Sequence, residues 1–264
     1  MSQRRIVAAL VAALLALSAP AWAGQEEAKP GDGGPEAAAA AREAGPARDY
    51  YLGGYREGEE YMAGEIADPL EPLNRIFFEL NDKLYFAIIR PAAQVYGLVV
   101  PEWGRQRVDS FFRNLAAPIR FVGCVLQLKF KAAGNELARF ALNTTGGMGG
   151  LFDIAAEQMD LPSSGEDLGQ ALGSWGIGHG FYIVWPVLGP SSLRDSVGTV
   201  GDNFLYPVNY LEDKEAVLGV RAYEYLNRAS LRIGDYEDLR EVALDPYISV
   251  RNAYFQYREA QLGK

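Results

Sequence analysis

The sequence predicts an all-α protein with an irregular, glycine-rich middle. Three observations carry that expectation. Apolar residues recur at intervals of three and four along several separate stretches, the spacing that lines one face of a helix. Alternation of apolar and polar residues, the mark of a half-buried strand, is scarce. Glycines crowd two short runs, at 146–150 and 176–180, which interrupt the helical stripes.

The chain has 264 residues, of which 49% are hydrophobic and 22% charged. That is enough apolar material to bury a real core. The formal net charge of -9 argues against a nucleic-acid partner, because phosphate binding needs clustered Lys and Arg. A single Cys excludes an intrachain disulfide, and a single His leaves little for a zinc site.

Residues 1–23 read as a cleavable signal peptide. Arg4 and Arg5 precede the apolar run Ile6 to Leu17, and Ala21-Trp22-Ala23 supplies small residues for cleavage. The run is shorter than the roughly 20 residues a membrane span needs. No Cys follows it to accept a lipid, and Cys124 reads as a small buried hydrophobe. Residues 24–62 read as a disordered, low-complexity linker, with Gly31-Asp32-Gly33-Gly34-Pro35, an alanine run and more acids than bases. The folded part is expected over 63–264.

Asp68-Pro69 suits the start of a first helix, with Asp68 as cap. Leu73, Ile76, Phe77, Leu80 and Leu84 then form its apolar stripe, and Pro91 is expected to end or kink it. Further stripes run through Val108, Phe111, Phe112 and Leu115, then Ile119, Val122 and Leu126, then Leu137 and Phe140. Val217, Val220, Tyr223 and Leu226 give a later one, and Tyr247, Val250, Tyr254 and Tyr257 the last. The apolar run Phe181 to Leu188 suits an edge strand or extended loop, since Pro186 cannot sit inside a sheet. Adjacent bulky pairs, Phe77-Phe78 and Phe111-Phe112, suit either an ordinary core or helices lying in one membrane leaflet.

No catalytic, metal or cofactor constellation emerges. His179 sits in Gly176-Ile177-Gly178-His179-Gly180 without a nucleophile-elbow pattern nearby. The glycines at 176, 178 and 180 lack dinucleotide spacing, and Gly146-Gly147-Met148-Gly149-Gly150 lacks the Lys and hydroxyl of a phosphate loop. Glu166-Asp167 and Glu212-Asp213 suit helix starts, where carboxylates complement the dipole. Binding or transport is favoured over catalysis.

Several blocks together form one pattern. They are Asp68-Pro69-Leu70-Glu71-Pro72-Leu73-Asn74-Arg75, Arg139-Phe140-Ala141-Leu142-Asn143-Thr144-Thr145-Gly146, Gly149-Gly150-Leu151-Phe152-Asp153, Gly169-Gln170-Ala171-Leu172-Gly173 and Gly189-Pro190-Ser191-Ser192-Leu193-Arg194-Asp195. In that order they resemble the MlaA (VacJ) family of outer-membrane phospholipid-transport proteins, most clearly over 65–210.

The resemblance implies a ring- or doughnut-shaped array of amphipathic helices with an irregular Gly-rich channel hairpin. It implies phospholipid as ligand, a trimeric outer-membrane porin and a periplasmic lipid-carrier protein as partners, and no hydrolysis. Phospholipids mislocalised in the outer leaflet would pass through the channel to the carrier. On this reading Asn143, Thr144, Asp153, Trp175, Tyr182 and Arg194 lie near the lipid path, with Arg194 suited to a phosphate. Asn143, Thr144 and Asp153 equally suit helix ends. Ser192 with Asp195 suits a capping box that opens a helix. Leu73, Ile76, Phe77, Leu80, Phe111 and Phe112 are expected to face the membrane. The expected location is the periplasmic leaflet of the outer membrane, without an acylated Cys. A soluble periplasmic lipid carrier and a secreted hydrolase using His179 are the competing readings. The segment after 210 matches less clearly.

Overall fold

The computed structural model describes residues 66–263. The expected signal segment and linker lie outside them. The described chain is all-α apart from one short hairpin, as the periodicity predicts.

α1 (Glu71–Leu84) starts two residues later than Asp68-Pro69 suggests. Its N-cap is Leu70, which gives no side-chain cap, and Pro72 occupies the first turn. Asp68 does different work, described below. Pro91 does not end the helix. A π-turn at Tyr85–Ile89 precedes it, and the Arg90 N–H donates to the Tyr85 carbonyl, five residues back. The wider turn makes room for the proline ring and for its missing donor. Helix then continues as α2 (Arg90–Val99).

The chain bends by 114° at Val100-Pro101 into α3 (Glu102–Leu115). α4 (Ala117–Leu126) and α5 (Phe130–Thr145) follow and pack against each other. Two short helices, α6 (Ile154–Met159) and α7 (Leu168–Ser174), carry aspartate caps. Asp153 accepts from the Ala156 N–H, and Asp167 from the Gln170 N–H.

β1 (Tyr182–Trp185) and β2 (Gly189–Ser192) form an antiparallel hairpin in which Tyr182 faces Ser192 and Trp185 faces Gly189. β1 stops before Pro186, as proline chemistry requires. α8 (Leu193–Leu205) begins directly from β2, with Ser192 Oγ accepting from the Asp195 N–H at 3.1 Å. Only that half of the expected capping box forms; the Asp195 carboxylate is engaged elsewhere. α8 lies so close to α7 that a Cβ on Gly198 would sit 2.3 Å from the Gly169 nitrogen. A 3₁₀ turn (Pro207–Tyr210) leads to α9 (Lys214–Ser230), α10 (Asp235–Val242) and α11 (Pro246–Leu262).

Two apolar clusters hold these helices. One joins Tyr182 and Val184 of β1 to Tyr247, Tyr254 and Phe255 of α11, with Phe77 and Phe78 of α1 packed against it. The other joins Val108 and Phe112 of α3 to Leu151, with Phe111 and Val220 at its margin. Phe112 is only 2% exposed. It is therefore a core residue, which corrects its assignment to the membrane face. No single helix among the described residues is long and apolar enough to cross a membrane.

Candidate functional site

Two asparagines on one face of α1 build the site. Asn74 donates from Nδ2 to the Tyr182 carbonyl at 3.0 Å and accepts at Oδ1 from the Val184 N–H at 2.9 Å. One step further along the hairpin, Asn81 donates to the Trp185 carbonyl at 2.9 Å and accepts from the Val187 N–H at 2.7 Å. Each side-chain amide has one acceptor and one donor edge, so it replaces a neighbouring strand for β1. The hairpin is thereby pinned along the helix.

Beyond Asn81 a cavity of about 410 Å³ opens between α1, the hairpin turn, the end of α9 and Tyr236 of α10. Its walls combine apolar groups such as Phe78, Leu84 and Leu188 with Asn81, Arg228 and Arg232. Arg228 holds Glu224 at 2.9 Å and lies 4.0 Å from Asp109. On the opposite wall Asp82 accepts from Tyr236 Oη at 2.9 Å and pairs with Arg240 at 3.4 Å. Such a surface suits a molecule with an anionic end and an apolar end.

Of the six residues expected near a lipid path, Tyr182 alone borders this cavity. It is fully buried, and its hydroxyl has no hydrogen-bond partner among the described residues. Burial and the neighbouring Tyr247 hydroxyl and Asp68 carboxylate push that phenol well above its ordinary pKa.

Asn143, Thr144 and Asp153 gather at a different place. Asn143 donates to Asp153 at 2.8 Å and accepts from the Ala155 N–H at 3.0 Å. Arg139 binds the other Asp153 oxygen at 2.7 Å and also reaches the Leu161 carbonyl. Asn114 donates to Thr144 Oγ1 at 3.0 Å. Burial alone would raise the Asp153 pKa, but the bonds from Asn143 and Arg139 outweigh it and hold the carboxylate below its usual range. This network fastens the start of α6 to the end of α5. It contains the helix-end roles the sequence allowed.

Arg194 is buried, with Nε on Asp195 at 3.0 Å. A lipid phosphate has no access to it, so its expected phosphate-binding role is corrected. Asp195 is gripped by Arg258 at 2.8 Å through two nitrogens and by the Tyr254 hydroxyl. Arg258 also binds Asp167 at 2.7 and 3.0 Å. At the other end of α11, Arg251 and the Tyr247 hydroxyl both meet Asp68. Tyr247, Arg251, Tyr254 and Arg258 thus form a buried polar stripe that ties α11 to the start of the fold, to α7 and to α8. The segment after 210, where the family resemblance is less clear, is an integral wall of the protein.

Trp175 is exposed, with its indole N–H on the Leu126 carbonyl at 2.9 Å. His179 stacks edge-on against Phe255, and its Nδ1 has no partner among the described residues. Burial and the nearby Arg194 charge lower its pKa.

The outward surface is markedly apolar. On α1, Leu73, Ile76 and Leu80 are exposed, while Phe77 of α1 and Phe111 of α3 are half-buried against the cores. On α2, Leu98 is 87% exposed with Val95 and Val99 beside it. α8 presents Leu193, Val197, Val200 and Phe204 along one face. These are more contiguous exposed apolar residues than a helical core requires, and such patches mark contact with apolar partners. The exposed set is chiefly aliphatic; the sequence signal of paired phenylalanines pointed at the cores instead.

An all-α body with apolar outer faces and a cavity of mixed polarity defines a class of protein built to meet amphipathic molecules. The chain belongs to the MlaA lipoprotein family, whose model matches residues 66–261. It is 36% identical over 194 residues to the intermembrane phospholipid transport system lipoprotein MlaA of Escherichia coli, covering 72% of this chain and 76% of that protein. The protein of the same name from Haemophilus influenzae is 29% identical over 198 residues, 74% of this chain and 79% of the relative. An uncharacterized protein of Rickettsia felis is 34% identical over 199 residues, 75% of this chain and 79% of the relative. A solved structure described as the structural basis for maintenance of bacterial outer membrane lipid asymmetry superposes with a TM-score of 0.66 at 32% identity. It covers 74% of this chain and 99% of that one.

One expectation falls with these matches. The sequence suggested a protein of the periplasmic leaflet held without an acylated Cys. The family and its E. coli and H. influenzae members are named lipoproteins, so an unacylated attachment is not the pattern of this family. The expectation arose because no Cys follows the apolar run Ile6 to Leu17 in the sequence; Cys124 itself lies inside α4 and is fully buried.

Proposed function

We propose that this chain is the outer-membrane component of intermembrane phospholipid transport. It removes phospholipid from the outer leaflet through an amphipathic passage and hands it to a periplasmic carrier, so that lipid asymmetry is maintained. The cavity beside the α1–hairpin seam carries the proposal, because it combines apolar walls with arginines inside an apolar exterior. A phospholipid needs both surfaces along its path. Irregular backbone at membrane depth is tolerated only where protein or a wet cavity covers it, and Val187, Leu188 and Gly189 of the hairpin turn border this one.

A trimeric porin is the proposed seat of the helical body, contacted by exposed apolar helix faces. Its chemistry is passage, without bond cleavage. Deleting the gene tests the function. Phospholipid at the cell surface, open to an added phospholipase, rises and is restored by the wild-type copy. An unchanged surface content in the deletion strain contradicts it.

A further inference from the structure

The turn between α4 and α5 is built inside out. Its polar residues fold back onto the protein. Gln127 Nε2 donates to one Glu166 oxygen at 2.6 Å, and Lys129 Nζ donates to the other at 2.7 Å. Glu166 itself is buried. The apolar residues of the same turn are left outside, with Leu128 73% and Phe130 66% exposed. Water favours the reverse arrangement, because apolar side chains gain by leaving it.

The backbone makes this exposure costlier still. α4 ends in a Schellman turn, with the Leu128 N–H on the Val125 carbonyl at 3.0 Å and the Lys129 N–H on the Cys124 carbonyl at 2.9 Å. Leu128 is the residue that turns left-handed, at φ 59°. Glycine usually takes that place, since it has no Cβ to crowd the carbonyl. A leucine there gives up stability and, being exposed, recovers none of it from the core. Its gain lies outside the molecule.

The surroundings continue the pattern. Trp175 donates its indole N–H to the Leu126 carbonyl at the end of α4. Its exposed ring therefore presents only apolar surface beside the turn. Along α5 the exposed residues Phe130, Gly134, Leu137, Phe140 and Ala141 carry no charge. The helix exposes one charge, Lys131, next to the turn and without an acidic partner among the described residues.

These features fit the boundary between acyl chains and anionic head groups. Apolar side chains enter there, and a lysine reaches the phosphates along its aliphatic stem. The N–H groups of Leu128 and Lys129 are already bonded, so the turn can leave water without stranding them. α4 has ten residues and is about 15 Å long. A bilayer's hydrocarbon core is about 30 Å thick, so the hairpin can enter one leaflet but not cross both.

We propose that the α4–α5 turn is a membrane-insertion tip. Leu128, Phe130 and Trp175 enter the acyl region of one leaflet, Lys131 stays among the head groups, and Glu166 holds the polar residues of the turn back. This rests on the reading of the protein as a membrane component, and adds a lipid contact separate from the cavity.

A nitroxide on Leu128→Cys tests it in the full-length protein; the buried Cys124 escapes the label. The protein is bound to vesicles of phosphatidylethanolamine and phosphatidylglycerol without porin. Collisions with oxygen, which concentrates in acyl chains, are compared with collisions with a water-soluble nickel chelate. Oxygen is expected to dominate at 128. The chelate is expected to dominate at Lys214→Cys, an exposed site among Glu212, Asp213 and Glu215. A label at 128 that stays as open to the chelate as the one at 214 overturns the proposal. Shielding that appears only when a porin is added assigns the tip to a protein partner and overturns it too. Leu128→Gly with Phe130→Ser separates this role from a structural one. The pair is expected to bind vesicles at least tenfold more weakly, while its urea midpoint stays level or rises as the left-handed strain is relieved. Unchanged vesicle binding by the folded pair overturns the proposal. None of these results decides the transport reading, which the surface phospholipid of the deletion strain tests separately.

Discussion

Asn74 binds Tyr182 across 108 positions of sequence, its amide donating to the tyrosine carbonyl at 3.0 Å in a fully buried setting. The same amide accepts from Val184 and also donates to Asp68 at 2.8 Å. One side chain therefore joins α1, β1 and the chain segment preceding α1. Asn74→Ala leaves the β1 carbonyl and N–H buried without partners, each costing about 1–3 kcal/mol. The expected loss is about 3 kcal/mol by urea or thermal unfolding. Asn81→Ala, whose bonds lie at the surface, is expected to lose about 1 kcal/mol or less. Equal losses would show that the hairpin is not held as described.

Asp202 on α8 gives a pH signature. It accepts from the Leu168 N–H at 3.1 Å. Burial, and then the neighbouring Asp167 charge, push it up to about 7. An acid whose folded pKa lies above its unfolded value binds protons better when folded, so stability falls as pH rises from about 4 to about 7. Asn keeps the acceptor without the charge. Asp202→Asn is expected to stabilise by about 1–2 kcal/mol at pH 8, after allowance for solvent screening, and to do nothing at pH 4. Unfolding curves at the two pH values check it.

Asp195 has the opposite sign. Burial would raise it, but Arg258, Tyr254 and Arg194 hold it far below the ordinary carboxylate range. Its contribution is complete above the unfolded pKa of about 4 and fades as pH falls below it. The wild-type protein is expected to lose stability on acidification through that range. Asp195→Asn, already weakened at pH 7, is expected to show a flatter acid limb.

Two glycines separate packing from backbone freedom. Gly198→Ala drives a methyl into Gly169 at the α7–α8 contact and is expected to cost about 2 kcal/mol. Gly219, inside α9, has open space around it. Gly219→Ala is expected to gain about 0.5–1 kcal/mol from helix propensity. Thermal melting of both variants distinguishes them.

Much of this architecture is legible in the sequence because it is local. Stripes such as Leu73-Ile76-Leu80 follow helix geometry, and Pro186 ends β1 by its own chemistry. Asp153, Asp167 and Ser192 cap the helices that follow them, as short polar side chains do. What the sequence conceals is long-range. Asp68 looks like a helix cap, yet its partners are Asn74, Tyr247 and Arg251, the last 183 positions away. Arg194 looks like a phosphate ligand until Asp195 is seen to occupy it. Tyr247 and Tyr254 read as part of an apolar stripe, and their bonds to Asp68 and Asp195, with those of Arg251 and Arg258, are invisible in the sequence because the acids lie 59 to 183 positions away. Gly189-Pro190-Ser191-Ser192 has no strand propensity, and becomes β2 only because β1 pairs with it. Pro91 signals a break, but a π-turn absorbs it. The cavity has no signature at all, since its wall is assembled from α1, the hairpin turn, α9 and α10.

Closing the cavity in living cells tests its role as the lipid passage most directly. Ala229 borders it on α9, and Ala229→Trp fills space there without removing a charge. Introduced into the deletion strain at wild-type abundance, this variant is expected to leave phospholipase-accessible phospholipid on the cell surface at the deletion level. Restoration to the wild-type level by the same folded variant would show that lipid travels by another route.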